Sequence, residues 1–275
     1  MGSVVLTGAS AGIGAAAAIE LTKLGHEVLA SGRSATKLAA VHRRMQAVAA
    51  PDLKVPEPVT VDLADLGQIR SFAELVLERF PRLDVLVNNA GIQPSRRSLS
   101  PNGVELTLAV NHLAPFALTG LLLDRLRSSE GRVVTTSSSN HAKAEFDFDD
   151  VQLERGWSTA KAYDRSKLAN IWFTTELARR SGIPATSFHP GTITTDLNRD
   201  SPWVRWVKPF ERFVMGPPEK GADTLVWLAT SPEGGAPSAA YYYLRRPEPV
   251  SPAGQDLQSA ARLWELSVDW ARDSQ

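Results

Sequence analysis

The sequence predicts an α/β fold built on a doubly wound, mostly parallel seven-stranded sheet flanked by helices. Three observations predict it. Seven short β-rich runs alternate with stretches whose apolar residues recur at helical spacing. Several of those runs are apolar almost throughout, as strands covered on both faces are. The 275 residues, 43% hydrophobic and 22% charged, suit one large α/β unit able to bury a core without disulfides or metals.

The elements follow in order. "SVVLT" (3–7) reads as the first strand and runs into "TGASAGIG" (7–14), which opens the Ala-rich helix "GIGAAAAIELTKLG". "HEVLAS" (26–31) is the second strand, and the Pro-rich "AAPDLKVPEP" connects onward to the third, "EPVTVD" (57–62). The helical stretch "SFAELVLERF" leads to the fourth strand, "LDVLVNN" (83–89). A long apolar helical stretch, "VELTLAVNHLAPFALTGLLLDRL", precedes the fifth strand, "GRVVTTS" (131–137). After an acidic–aromatic connection at 139–160 come "SKLANIWFTTELARRSG" as helix, "ATSFHP" (185–190) as sixth strand and "AAYYYL" (239–244) as seventh. Such alternation implies right-handed crossovers. With no repeat and no linker, residues 1–275 read as a single domain carrying an insertion at about 192–216.

Composition excludes several function classes. A formal net charge of zero argues against a nucleic-acid-binding face. Without cysteine there is no disulfide, thiolate nucleophile or Cys–zinc site. The five histidines lack ligand spacing, and "EFDFDD" lacks the glycine and spacing of an EF-hand, so no metal site is expected. The N-terminal residues have no basic region leading into an apolar run. No uninterrupted apolar stretch reaches the roughly 20 residues of a membrane span. The expectation is a cytoplasmic protein.

The chemistry-bearing motifs begin at the glycine turn. Gly8, Ala11, Gly12 and Gly14 lie where a strand turns into a helix, and a helix N-terminus offers N–H groups and a positive dipole end to a diphosphate. The second strand ends in Gly32 and Arg33 with no acid, and a guanidinium suits a 2′-phosphate. This favours NADP(H), with NAD(H) as the alternative. In "KAYDRSKLAN" (161–170), Tyr163 and Lys167 are one helical turn apart.

Taken in order, "TGASAGIG", Asp62 with Leu63, "NNAG" (88–91), Asn111, "SSS" (137–139), Tyr163/Lys167 and "PG" (190–191) resemble the short-chain dehydrogenase/reductase family. "VNHLAPFALT", "SKLANIWFTTELARR", "FHPGTITTDL" and the tail "SPAGQDLQSAARLWELS" resemble its retinol dehydrogenase-like branch. The resemblance implies a Rossmann-type domain with a nicotinamide dinucleotide. It implies that Gly8, Ser10, Ile13 and Gly14 hold phosphates and ribose, Asp62 and Leu63 the adenine, and Asn89, Ala90 and Gly91 the adenosine ribose. Pro190, Gly191, Ile193 and Thr195 would lie at the nicotinamide. Asn111, Ser138, Tyr163 and Lys167 would be catalytic, with Lys167 also gripping the nicotinamide ribose and Asn111 holding a relay water. Family analogy also implies a homodimer paired through the helices carrying Asn111 and Tyr163.

Carbonyl reduction needs a proton at oxygen as well as a hydride at carbon. A free phenol titrates near pH 10, and bringing it down by about three pH units takes roughly 4 kcal/mol. An ammonium about 4 Å away supplies about that much at an effective dielectric near 20. The sequence therefore predicts that Lys167 makes Tyr163 acidic. Trp203, Trp206, Phe210 and Phe213, on one helical face, read as a hydrophobic lid over a bulky apolar substrate, with plain packing and membrane-surface contact as the alternatives, and His141 as a further substrate contact. The expected activity is hydride transfer between NADP(H) and a small-molecule carbonyl or alcohol. Reduction of an activated C=C or C=N bond, or a non-catalytic dinucleotide sensor, are the alternatives.

Overall fold

A computed structural model of the chain describes residues 2–191, 217–236 and 238–272. All seven predicted strands are present: β1 Ser3–Leu6, β2 Glu27–Gly32, β3 Val59–Thr60, β4 Val85–Asn88, β5 Arg132–Thr136, β6 Ala185–Phe188 and β7 Tyr241–Tyr243. They pair in parallel in the order β3-β2-β1-β4-β5-β6-β7. The strand order reverses between β1 and β4, and the crevice at their carboxyl ends is where such sheets bind ligands.

An eighth strand corrects the seven-stranded expectation at one edge. β8, Arg246–Glu248, folds back antiparallel on β7. The two-residue turn uses Leu244 and Arg245 at φ 47 and 62, where a glycine or asparagine is the usual signal. Anchoring to the helix Pro218–Thr230 offsets the backbone cost: Arg245 N–H donates to Thr224 Oγ1 at 3.3 Å and its Nε donates to Asp223 at 2.7 Å.

The helices are α1 Gly12–Lys23, α2 Ala35–Val48, α3 Leu66–Arg79, α4 Leu106–Leu108, α5 Ala114–Ser128, α6 Thr159–Ser181, α7 Pro218–Thr230 and α8 Leu257–Arg272. Ser34, Asp65 and Ser158 cap α2, α3 and α6 by accepting from their first-turn N–H groups. Alternation along β1 splits the core in two. Val5 faces α3, α5, α6 and α8, while Val4 and Leu6 face α1, α2 and α7. The run Leu106–Ser128 is long and apolar enough to cross a bilayer by composition, and 72% of its apolar window is buried within the protein. The sequence reading, which looked for an uninterrupted apolar stretch, passed over it.

Helix α8 buries Ala260, Leu263 and Ser267 against α5 and α6. Trp264 lies 4.8 Å from the Phe116 ring and stacks on Phe173 at 6.2 Å, and Glu265 pairs with Arg180 at 2.8 Å. The helices expected to meet a second subunit are thus partly covered by the chain's own last helix.

Buried His112 meets Ser267 Oγ through Nε2 at 2.9 Å, and burial pushes its pKa down to about 4. Between pH 6.5 and about 4 the unfolded chain takes up a proton that the folded chain refuses, so stability falls as pH falls through this window. The full loss is about 3 kcal/mol. Urea unfolding at pH 7.5 and 5 is expected to show this slope, and His112→Gln to flatten it.

Candidate active site

The glycine turn is built by close approach. Gly8 and Gly12 sit at φ +72 and +56, a region that favours glycine. A Cβ on Gly14 would fall 2.3 Å from Gly8 O, and one on Gly8 would fall 2.6 Å from Ala90 Cα. Thr7 and Asn89 lock this contact. Asn89 and Ala90 N–H donate to Thr7 Oγ1 at 3.1 and 3.2 Å, and Asn89 Nδ2 donates to Thr7 O at 3.1 Å. Ala11, just before helix α1, supplies no side-chain cap, which leaves the helix's first N–H groups available to an anion. Ser10 lies against Gly32, whose Cβ would meet Ser10 Oγ at 3.2 Å, and exposed Arg33 follows at the end of β2. Asp62 and Leu63 lie just past β3, where Asp62 Oδ1 accepts from Ala64 N–H at 3.0 Å.

Asn111 occupies a π turn, Ala109–Leu113, between α4 and α5. Pro115 explains the turn: it has no N–H to return to the Asn111 carbonyl, and Ala114 N–H reaches back to Ala109 O instead. The Asn111 side chain makes three hydrogen bonds. Its Oδ1 accepts from Ile92 N–H at 2.7 Å, and its Nδ2 donates to Ile92 O and Ser166 Oγ, both at 3.0 Å. It thereby ties the "NNAG" loop to α6.

Tyr163 and Lys167 share one face of α6, as predicted, with Lys167 Nζ 5.3 Å from the Tyr163 ring centre. Lys167 Nζ also donates to Thr136 O at 3.2 Å, and Asn170 Nδ2 donates to the same carbonyl at 3.1 Å. Gly91 opens the space beside them: a Cβ there would sit 3.6 Å from Lys167 Nζ.

The electrostatics differ from the sequence expectation. Burial pushes Tyr163 up to about 12, against a hydrogen bond with the Ser138 side chain that acts in the other direction. Burial also pushes Lys167 down to about 8. Desolvation disfavours the charged form of both groups. Without a positive ligand charge beside it, the ammonium does not make this phenol acidic.

The three serines divide their work. Ser137 Oγ donates to Lys167 O at 2.8 Å, and Ser139 begins the 3₁₀ turn Ser139–Lys143. Ser138 accepts from Asn140 N–H at 3.2 Å and stands beside Tyr163. His141 is a correction: it is 4% exposed and both ring nitrogens meet protein groups, so it presents none to a substrate. Pro190 and Gly191 follow β6, with Gly191 at φ +80 and its N–H on His189 Nδ1 at 3.3 Å. Ile193, Thr195, Trp203, Trp206 and Phe210, with the proposed lid, lie outside the described residues. Among the described residues no three His, Asp or Glu side chains group as metal ligands. Sequence reasoning missed Thr7, Thr136 and Ser166. Only Thr7 carried a signal, at the entrance to the glycine turn.

Comparison with known proteins agrees with this geometry. The short chain dehydrogenase family model matches residues 3–203. A candidate daunorubicin C-13 ketoreductase (DnrU) of Streptomyces sp. (strain C5) is 40% identical over 271 residues, covering 97% of this chain and 91% of the relative. Retinol dehydrogenase 14 of Homo sapiens is 37% identical over 285 residues, covering 96% and 84%. A short chain dehydrogenase from Burkholderia cenocepacia J2315, solved with NADP, superposes with a TM-score of 0.67 at 27% identity, covering 86% of this chain and 94% of that one. With a glycine cradle at the switch point and Ser138, Tyr163 and Lys167 beside it, the chain belongs to the short-chain dehydrogenases, in their retinol dehydrogenase-like branch, and is a dinucleotide-dependent oxidoreductase.

Proposed function

We propose that the chain is an NADP(H)-dependent oxidoreductase that interconverts a carbonyl and an alcohol on a bulky hydrophobic substrate, with Tyr163 as general acid/base. One observation carries the reading: half-buried Tyr163 and buried Lys167 share one face of α6 next to Ser138, in a fold whose Gly8 and Gly14 leave no room for a Cβ at the end of β1. The glycine cradle and the uncapped N-terminus of α1 fit a dinucleotide diphosphate. When bound, the nicotinamide supplies or accepts the hydride. Ser138 orients the substrate oxygen through its hydroxyl, and Tyr163 gives that oxygen its proton. A phenolate left on Tyr163 is stabilised by the Lys167 ammonium, which lies 5.3 Å from the Tyr163 ring centre. The Asn111 side chain keeps the "NNAG" loop and α6 in register around the pair.

A substrate larger than a simple ketone is supported by the names of the relatives, which concern daunorubicin at C-13 and retinol. NADPH consumption with large ketones and aldehydes, compared with acetone-sized ones, tests the activity. Consumption with none of them refutes it. The NADP(H) preference rests on Arg33 at the end of β2, where it makes no hydrogen bond or ion pair among the described residues, and on the NADP complex of the Burkholderia protein. Arg33→Ala is expected to weaken NADPH binding on the order of tenfold or more, as loss of a charge-assisted phosphate contact does, and to leave NADH nearly unaffected. Equal loss for both cofactors would refute the preference.

A further inference from the structure

We infer that His141 is a positioning residue, whose imidazole holds the turn carrying Ser138 in register with Tyr163 by bridging the Ser138 carbonyl to the Ser251 amide. The inference rests on the reading of Ser138 and Tyr163 as the proton-handling pair.

The bridge is read from its two ends. Ser251 N–H donates to His141 Nε2 at 3.1 Å, so Nε2 is the acceptor. The ring proton therefore sits on Nδ1, which donates to Ser138 O at 2.8 Å. The ring is buried and packs edge-on against Tyr241 at 4.9 Å. The segment that receives the bridge also grips α6. Trp172 Nε1, on the helix that bears Tyr163 and Lys167, donates to Ala253 O at 2.8 Å. A Cβ on Gly254 would stand 3.4 Å from Ile171 Cγ2. The turn with Ser138 and the helix with Tyr163 are thus fastened to one outside strap, residues 250–255. The turn also meets α6 directly, through Asn140 Nδ2 donating to Asp164 Oδ1 at 2.8 Å and Ser137 Oγ donating to Lys167 O at 2.8 Å. A rigid ring with a donor at one edge and an acceptor at the other suits the bridge. A flexible amide loses more rotamer freedom in the same place.

The bridge works only with a neutral ring. A second proton on Nε2 would face the Ser251 N–H, donor against donor. Burial holds His141 below its ordinary range. Around it lie Glu248 of β8, which favours the proton, and His189 after β6, which opposes it when charged. Tyr241 of β7 offers a ring, Tyr163 and Asp164 stand on α6, and Lys143 lies on the same turn as His141. Acid is therefore expected to loosen the strap.

Steady-state kinetics and NADPH binding of His141→Phe and His141→Asn test this. His141→Phe is expected to lower kcat on the order of tenfold or more through misplacement, with KM and the NADPH Kd within about twofold of wild type. His141→Asn keeps a donor near the Nδ1 position and has nothing to protonate. Because it cannot reach the Ser251 N–H, it is expected to recover only part of kcat, and to lack the fall in kcat at acid pH that is expected of wild type. Wild-type kcat in His141→Phe, or an acid limb unchanged in His141→Asn, overturns the inference. Should His141→Phe fail to fold, the pH profile of His141→Asn decides alone. Tyr163→Phe in the same assay separates the two levels. If it stays active, the site reading has failed. If it is dead while the His141 variants behave as wild type, only the strap has failed.

Discussion

Tyr163→Phe is expected to stop turnover while NADPH still binds. The change removes one oxygen from a side chain that sits on α6 beside Ser138. The ring that packs 5.3 Å from Lys167 Nζ remains, and so does the Lys167 bond to Thr136 O. The glycine turn, Asn89 and Arg33 are untouched, so affinity for the cofactor should stay within a few-fold. The proton donor is gone, and loss of a positioned general acid costs about 10²–10⁴-fold. NADPH oxidation with a reactive ketone measures the first effect, and quenching or enhancement of NADPH fluorescence measures the second. Turnover near the wild-type rate would defeat the role given to Tyr163.

The second large effect is expected at Gly14. A methyl group there meets Gly8 O at 2.3 Å and Asn89 Nδ2 at 2.6 Å. The first of these is backbone, and Thr7 and Asn89 hold the loops on both sides. Neither neighbour can yield without moving the start of α1 off the end of β1. Gly14→Ala is therefore expected to destabilise the protein by about 1–3 kcal/mol, as overpacking does, and to abolish measurable NADPH binding. Gly120→Ala is the matched control. It lies exposed in α5 with nothing within 4 Å of the added Cβ, and should be neutral or stabilising by up to about 1 kcal/mol. Thermal melts and fluorescence titration of the two variants read both effects. Full NADPH affinity in Gly14→Ala would show that the cradle is not where the cofactor sits.

What the sequence disclosed and what it withheld divide on locality. Strands such as "LDVLVNN" and the helix of Tyr163 and Lys167 are written in residues near one another, and periodicity reads them. The glycine turn is equally local. β8 escaped because Leu244 and Arg245 adopt left-handed backbone without the residues that usually announce it; the cause, Asp223 and Thr224, lies on another helix. The π turn had a marker in Pro115, but proline before a helical run also signals an ordinary first turn. His141 looked like a pocket residue because its true partner, Ser251, is 110 positions away. The acidity expected of Tyr163 rested on a charge–charge estimate that left out the cost of burying the phenol; burial pushes Tyr163 the other way and lowers Lys167.

The position of α8 bears on how the molecule is made. A ribosome releases the chain from β1 onward, so α5 and α6 emerge long before Leu257–Arg272. Until then Phe116 and Phe173 lack the Trp264 ring that covers them in the finished protein, and Ser267 has not reached His112. The helix bearing the chemistry is consequently among the last parts to be sealed during translation, and nascent chains paused before residue 257 would carry an oily flank that chaperones recognise.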